Sequence, residues 1–190
     1  MNILDAILKR RSIRKFTQQP IESEDLKELV LCASRAAYPA NLQPLKFAIV
    51  TEETEREQLF ACTKWAGYLV DGSPKEGERP TAYIVMLGDS SIKANSDFQV
   101  ETGAAGTTIL LAAMEKGLAG CWLGALSRDG IRELLALPEN LHVTDVIALG
   151  YPAQHSVPVE MEDGNVKYYK DETGTIHVPK RPLDEILYEK

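Results

Sequence analysis

One stretch constrains the fold more than any other: residues 98–116. Its run Gly103-Ala104-Ala105-Gly106-Thr107-Thr108-Ile109-Leu110-Leu111-Ala112-Ala113-Met114 is apolar or small on every side. A surface helix carries a polar stripe, and a helix without one is buried all round. Gly117 follows, where glycine takes the left-handed backbone that closes a helix. The small residues let a second backbone come close. The stretch is therefore expected to be a core helix, and it is a candidate to pack against a second copy of the chain. Its apolar run, Gly103 to Met114, is too short and too rich in Gly and Thr to span a bilayer.

The other elements arrange themselves around it. Asn2 is placed to cap a short helix with Ile3, Ile7 and Leu8 on one face. Ser23 is the candidate cap of a second helix, in which Leu26, Leu29, Val30, Ala33 and Ala37 keep helical spacing. Pro39 disfavours helix in the residue before it, so this helix is expected to end near Tyr38. Residues 45–51, 81–87, 121–123 and 143–149 read as strands. A charged helix fills 52–62, and Ser127 opens a short helix ended by Pro138. The connection 63–79 holds Trp65 and Tyr68 and has the length of a lid or binding element. From Tyr151 onward the pattern weakens. Residues 1–150 are expected to form an α+β core, and residues 151–190 an extended arm crossing another surface, with a helical turn over 183–188.

Charge supplies the functional signal. The 190 residues carry a formal net charge of -7, yet Lys9, Arg10, Arg11, Arg14 and Lys15 crowd together around Ser12. Guanidinium forks match phosphate oxygens two at a time, and a hydroxyl adds a neutral donor. The stretch is expected to hold the phosphate of a bound cofactor. The plainer alternative is a solvated basic face that complements a helix end. One basic cluster in an acidic chain is a poor footprint for nucleic acid, and the acidic balance disfavours an anionic membrane. A second basic pair, Lys180-Arg181, stands between Pro179 and Pro182.

Between Tyr38 and Pro44, Asn41 and Gln43 each offer a donor and an acceptor. That suits a heterocycle with alternating C=O and N–H groups; otherwise the two amides simply close a turn. Gly124, at a strand end, lets a flat ligand approach the backbone, or is a turn glycine. Cys32, Cys62 and Cys121 are odd in number and lie in apolar surroundings, as buried thiols do. His142, His155 and His177 show no metal-ligand spacing. Residues 1–5 lack the start of a signal peptide, so a cytoplasmic setting is expected.

Taken in order, these pieces resemble the nitroreductase family of FMN-dependent oxidoreductases. Lys9-Arg10-Arg11-Ser12-Ile13-Arg14-Lys15-Phe16 resembles its opening signature, and Asn41-Leu42-Gln43-Pro44 its flavin-contacting loop. The run Glu101 to Gly124, including Leu118-Ala119-Gly120-Cys121-Trp122-Leu123-Gly124, is similar to its central helix and following strand, and Leu149-Gly150-Tyr151-Pro152-Ala153 and Lys180-Arg181-Pro182-Leu183-Asp184-Glu185-Ile186 to its C-terminal landmarks. The resemblance implies a mixed, mainly antiparallel sheet flanked by helices, in a homodimer with exchanged C-terminal segments and flavin at the interface. It implies that Arg10, Arg11, Ser12 and Arg14 contact the phosphate, ribityl chain or pyrimidine edge. Arg181 would add a second phosphate contact, with Lys180 beside it.

Tyr38, Pro39, Asn41 and Gln43 would approach the ring, Tyr38 to Asn41 coming from the partner. Leu123 and Gly124 would lie near it, with backbone N–H groups toward N5. Arg14, or less directly Lys46, would stabilise the reduced ring. Where many members carry Pro-Ser before the Asn, this chain has Ala37-Tyr38-Pro39-Ala40, and Leu45 stands where many have Trp. The implied activity is transfer of hydride from NADH or NADPH to FMN, then of two electrons to a small acceptor such as a nitroaromatic or quinone. No side-chain acid or base is assigned. The alternatives are dehalogenation or dehydrogenation on the same fold, or a flavin-binding protein without turnover.

Overall fold

The computed structural model describes residues 2–94 and 97–189. Strand β2 (Ala82–Asp89) is its middle, with every residue buried. Strands β1 (Leu45–Val50) and β4 (Leu141–Gly150) pair antiparallel with its two edges, and β3 (Ala119–Leu123) pairs antiparallel with β4. The sheet order is β1-β2-β4-β3. Successive side chains of β2 point to opposite faces. Ile84 and Met86 pack with Leu26, Leu29 and Ile109, under helices α2 (Ser23–Ser34) and α4 (Gln99–Glu115). Tyr83, Val85 and Leu87 pack with Leu59 and Ile131, from α3 (Glu53–Ala61) and α5 (Arg128–Leu134). Each fully buried aliphatic side chain contributes about 1.5–3 kcal/mol. The result is three layers, with an antiparallel sheet between helices.

Helix α4 lies on the sheet through Ala105, Gly106, Ile109 and Ala113. Gly106 is required there, because a Cβ would fall 2.5 Å from the Trp122 ring of β3. Gly117, at φ +70°, closes the helix. The single chain does not cover α4 all round, as the sequence leads one to expect. Thr107 is exposed, Val100 is 63% exposed and Gly103 opens onto empty space, because no described residue lies over that face. Helix α1 (Ile3–Lys9) is capped by Asn2, whose side chain accepts from the Asp5 N–H at 2.8 Å. Its Ile3, Leu4, Ile7 and Leu8 are also exposed, and only Ala6 is buried.

Helix α2 differs at both ends from its sequence pattern. Ser23 lies inside the first turn, and Glu22 holds the cap position without a side-chain bond. The helix stops at Ser34, short of Tyr38. The Tyr38 hydroxyl donates to the Ala33 carbonyl at 2.8 Å and Ser34 Oγ donates to Leu31 O at 2.7 Å. Late carbonyls are thus satisfied by side chains, and the chain is free to turn.

The segment after β4, expected to be an extended arm, holds a small second sheet. Strands β5 (Ser156–Glu160) and β7 (Ile176–Lys180) are parallel, and β6 (Tyr169–Lys170) pairs antiparallel with β7. Most of it is solvated and only Ile176 is fully buried, so no apolar alternation marks it in the sequence. Helix α6 (Leu183–Ile186) follows. No helix among the described residues is long and apolar enough to cross a membrane.

Two charged groups inside the fold are fully engaged. Glu101, completely buried in the first turn of α4, accepts from Lys93 Nζ at 2.8 Å. Asp89, buried at the end of β2, accepts from Ser91 Oγ, from Asn140 Nδ2 at 2.8 Å and from Lys46 Nζ at 3.1 Å. The bonds from Ser91 and Asn140, then Lys46, hold its carboxyl well below the usual carboxylate range.

Candidate functional site

Past α1 the chain lays itself along the outer edge of β3. Ser12 bridges Gly120 in parallel, and the Ile13 N–H donates to Gly120 O at 3.0 Å. Farther on, Phe16 is buried and bridges Pro152, while Thr17 N–H donates to Tyr151 O at 2.9 Å. Arg10, Arg11, Ser12 and Arg14 are therefore fixed in place by backbone pairing on either side. Alternate residues of a strand direct their backbone groups to opposite edges, so Trp122 shares the outer edge with Gly120.

A cavity of about 290 Å³ opens here. Lys9, Arg10 and Arg11 line one wall, Leu110 and Met114 of α4 another, and Gln154, His155 and Ser156 a third. No carboxylate lines it among the described residues. Arg11 Nη1 donates to Arg10 O at 2.5 Å, but Arg11 Nε is buried with no partner. Burial, then the charge of Arg10, pushes the Arg11 guanidinium below its ordinary value. Burial, then Arg11 and Arg10, does the same to the Lys180 ammonium. A buried, unpartnered guanidinium N–H beside a second cation is a donor set that suits an anion. Arg181 instead turns outward, with Nε donating to Glu185 Oε2 of α6 at 3.1 Å. Lys46 is likewise engaged, by Asp89.

The amide loop is a separate structure. Pro39–Asn41 form a single 3-10 turn, and Ala40, Asn41 and Gln43 all take positive φ, at 49°, 55° and 50°. Left-handed backbone costs a residue with a side chain roughly 1–2 kcal/mol. Three such residues in four mark a loop held by something other than local preference. Gln43 Nε2 donates to Asn41 O and Asn41 Oδ1, both at 3.1 Å, and both side chains are exposed, as is Pro39. Burial, then the charge of Glu101, raises the Tyr38 hydroxyl above its ordinary value. Tyr38 thus sits near the N-terminal end of α4, while Arg10 and Arg11 share a cavity with Leu110 and Met114 at the other end. At about 1.5 Å per residue, Glu101 and Met114 are roughly 20 Å apart along the helix. One chain does not bring the two halves of the expected site together.

At the far end of β3 the Leu123 side chain points into the core with Ile131, so only its backbone faces the edge. Gly124 is exposed, and a Cβ there would come within 3.1 Å of Asp145 Oδ1. Burial raises the Asp145 carboxyl, opposed by a hydrogen bond from Trp122 and by Arg128. Sequence reasoning missed Gln154, His155 and Ser156. The polar run directly after Gly150-Tyr151-Pro152 was their signal. It also missed Glu78, whose side chain accepts from Lys15 Nζ at 2.8 Å.

The chain is an α+β fold with a group of cations gathered at one sheet edge. Comparison with known proteins gives it a family. The sequence profile of the nitroreductase family matches residues 7–151, and the chain belongs to that family. It is 32% identical over 166 residues to a protein of Archaeoglobus fulgidus named provisionally as an NADH dehydrogenase/NAD(P)H nitroreductase, covering 84% of this chain and 91% of that one. It is 30% identical over 169 residues to the NADPH-flavin oxidoreductase of Vibrio harveyi, covering 81% and 67%. A nitroreductase-like structure from Desulfovibrio desulfuricans, solved in complex with FMN, superposes with a TM-score of 0.71 at 27% identity, covering 100% and 97%.

Proposed function

We propose that this chain is an FMN-dependent oxidoreductase that draws on NADH or NADPH. One observation carries the reading: Arg10 and Arg11 line a cavity that no carboxylate among the described residues enters, and the buried Arg11 Nε has no partner there. A monophosphate fits that donor set, because each oxygen accepts several charge-assisted bonds. The chemistry supplied by FMN when bound is acceptance of hydride at N5 and delivery of two electrons to a small acceptor such as a nitroaromatic or quinone.

The chain's own residues bind and orient. Arg10, Arg11 and Lys180 hold the phosphate end, with Arg181 reaching it only by leaving Glu185. Ser12 adds a hydroxyl donor. Arg14, farther along the β3 edge, provides positive charge for the pyrimidine side. The backbone at Leu123 and Gly124 offers a side-chain-free approach to the ring edge.

The site is completed by a second copy in this reading. A two-fold axis that packs α4 antiparallel on its mate would bring the Tyr38, Pro39, Asn41 and Gln43 loop of one copy to the arginines of the other. The uncovered faces of α1 and α4 support it, as do exposed Leu183, Ile186 and Leu187 near the chain end. Of residues 151–190, the arm expected to lie on the partner around a core of 1–150, the end carrying Leu183, Ile186 and Leu187 would do so, while Gln154, Tyr168 and Lys170 pack on the core of their own copy. A cytoplasmic setting would supply the nicotinamide.

The visible spectrum of the purified protein tests this. Bound flavin should give a yellow protein whose absorbance bleaches on anaerobic NADH or NADPH. A colourless protein that refuses FMN would sink the reading. A yellow one that never bleaches would leave a flavin-binding protein without turnover. Arg14→Ala should weaken FMN retention and make the flavin harder to reduce, as a titration and a midpoint potential would read.

A further inference from the structure

We infer that Tyr168 is a positioning residue for Arg14, and that through it the connection 63–79 is tied to the cofactor site; the role toward cofactor rests on the flavin reading above. The Arg14 guanidinium carbon lies 4.7 Å from the centroid of the Tyr168 ring, over its face. That is inside the distance at which a ring attracts a cation. The Tyr168 ring meets that of Tyr68 at 5.0 Å and 59°, a tilted contact that ring quadrupoles favour. Tyr68 belongs to the 63–79 connection, and Tyr168 to the polar segment just before β6.

Two further ties join the same pieces. Lys170 Nζ donates to Asp71 Oδ2 at 2.9 Å, linking β6 to the connection. Glu78, at the connection's end, accepts from Lys15 Nζ and, through its carbonyl, from the Phe16 N–H at 2.9 Å. Arg14 itself is anchored by its backbone N–H, which donates to Gln154 Oε1 at 3.2 Å. The C-terminal segment thus lies on Arg14, and the connection braces that segment and the adjacent Lys15 and Phe16.

A ring face does something a carboxylate could not. No carboxylate pairs with Arg14 among the described residues. A carboxylate would hold the guanidinium but cancel its charge and occupy its donors. An aromatic face restricts a side chain rich in rotamers without cancelling its charge, and the other group that meets the guanidinium, the Cys121 thiol, is only a weak acceptor. The positive charge is thus kept in place and kept available, the condition an electrostatic stabiliser requires.

The test begins with the apo-protein and needs no activity. Nitrogen-labelled arginine NMR should show the Arg14 Nε–H signal moved upfield by the ring current of Tyr168. Tyr168→Phe should keep that shift and Tyr168→Leu should abolish it. In FMN titrations Tyr168→Leu should bind roughly fivefold more weakly, and Tyr168→Phe within about twofold of wild type. The flavin midpoint potential should fall in Tyr168→Leu and recover in Tyr168→Phe, which simple loss of packing would not produce. An unshifted Arg14 signal in the wild type overturns the inference, as does wild-type FMN affinity in Tyr168→Leu. If the leucine variant fails to fold, the wild-type shift decides, and Tyr68→Ala should weaken it. A wild type that shows the shift but refuses FMN overturns the flavin reading, and with it Tyr168's role toward cofactor, while the Arg14–Tyr168 contact stands.

Discussion

The two ends of α4 treat charge in opposite ways. At the N-terminal end Glu101 is buried and takes the Lys93 ammonium at 2.8 Å, and the nearby Asp89 is saturated by Ser91, Asn140 and Lys46. At the C-terminal end Arg10, Arg11 and Lys180 pair with no carboxylate among the described residues. Carboxylates are close by, but Asp25 and Glu28 both engage Lys116, each at 2.7 Å. Charge that is matched within the chain maintains the fold. Charge left unmatched, at some cost to the fold, is the sign of an external partner.

Four experiments would break or sharpen this contrast. The largest effect belongs to Glu101. Glu101→Gln leaves a lysine without its buried partner and should cost about 3–5 kcal/mol in urea unfolding. A change under about 1 kcal/mol would mean that the pair is no more structural than a surface bridge.

Asp89→Asn should cost less, because Lys46 is 55% exposed and keeps its water. Its effect should depend on pH. The folded-state value of Asp89 is depressed, so its stabilisation is present above the ordinary carboxylate value of about 3.9 and is lost as pH falls through the folded value. The melting-temperature gap between wild type and Asp89→Asn should therefore be widest above that value and close in acid. A gap that is flat with pH would remove the ionised form from the account.

Arg11→Ala should behave in the opposite sense. It relieves repulsion with Arg10 and Lys180, so the apo-protein should melt no lower and the Lys180 ammonium should recover toward its ordinary value. FMN affinity should fall roughly ten- to a hundredfold, the scale of a hydrogen bond to a charged group. An apo-protein destabilised by this change would place Arg11 with the structural charges.

The smallest effect is expected in the amide loop. Ala40→Gly should relieve the positive φ and stabilise the chain by up to about 1 kcal/mol, seen as a higher denaturation midpoint. No gain would show that the loop's backbone is not strained at that position.

Much of this was legible in the chain itself. The capped helices at Asn2 and Ser127 and the all-buried β2 follow from local preference and period, and those signals survive any packing. The crowding of cations at residues 9–15 was visible in composition alone. Other features were hidden. Ser23 carries the residue type of a cap but lies one position inside the helix, because cap identity depends on backbone angles that composition does not record. The second sheet was missed because its strands are solvated. Lys180 and Arg181 are neighbours in sequence and equal in charge, so only the turn into α6 could separate the one facing Arg11 from the one facing Glu185. Tyr168 gave no signal, since its meaning depends on Arg14 more than 150 residues earlier.

The sequence by itself determined which segments of residues 1–150 form helix or strand, where the buried layer lies, and that unbalanced positive charge sits beside the first helix. Those follow from periodicity, caps and composition, which are properties of neighbours along the chain. Only the tertiary structure decided which cations converge, which are neutralised, and that the arginines and the amide loop lie at opposite ends of α4. Distances between groups far apart in sequence are set by how the layers pack, and hydrogen bonds and charge interactions depend steeply on those distances.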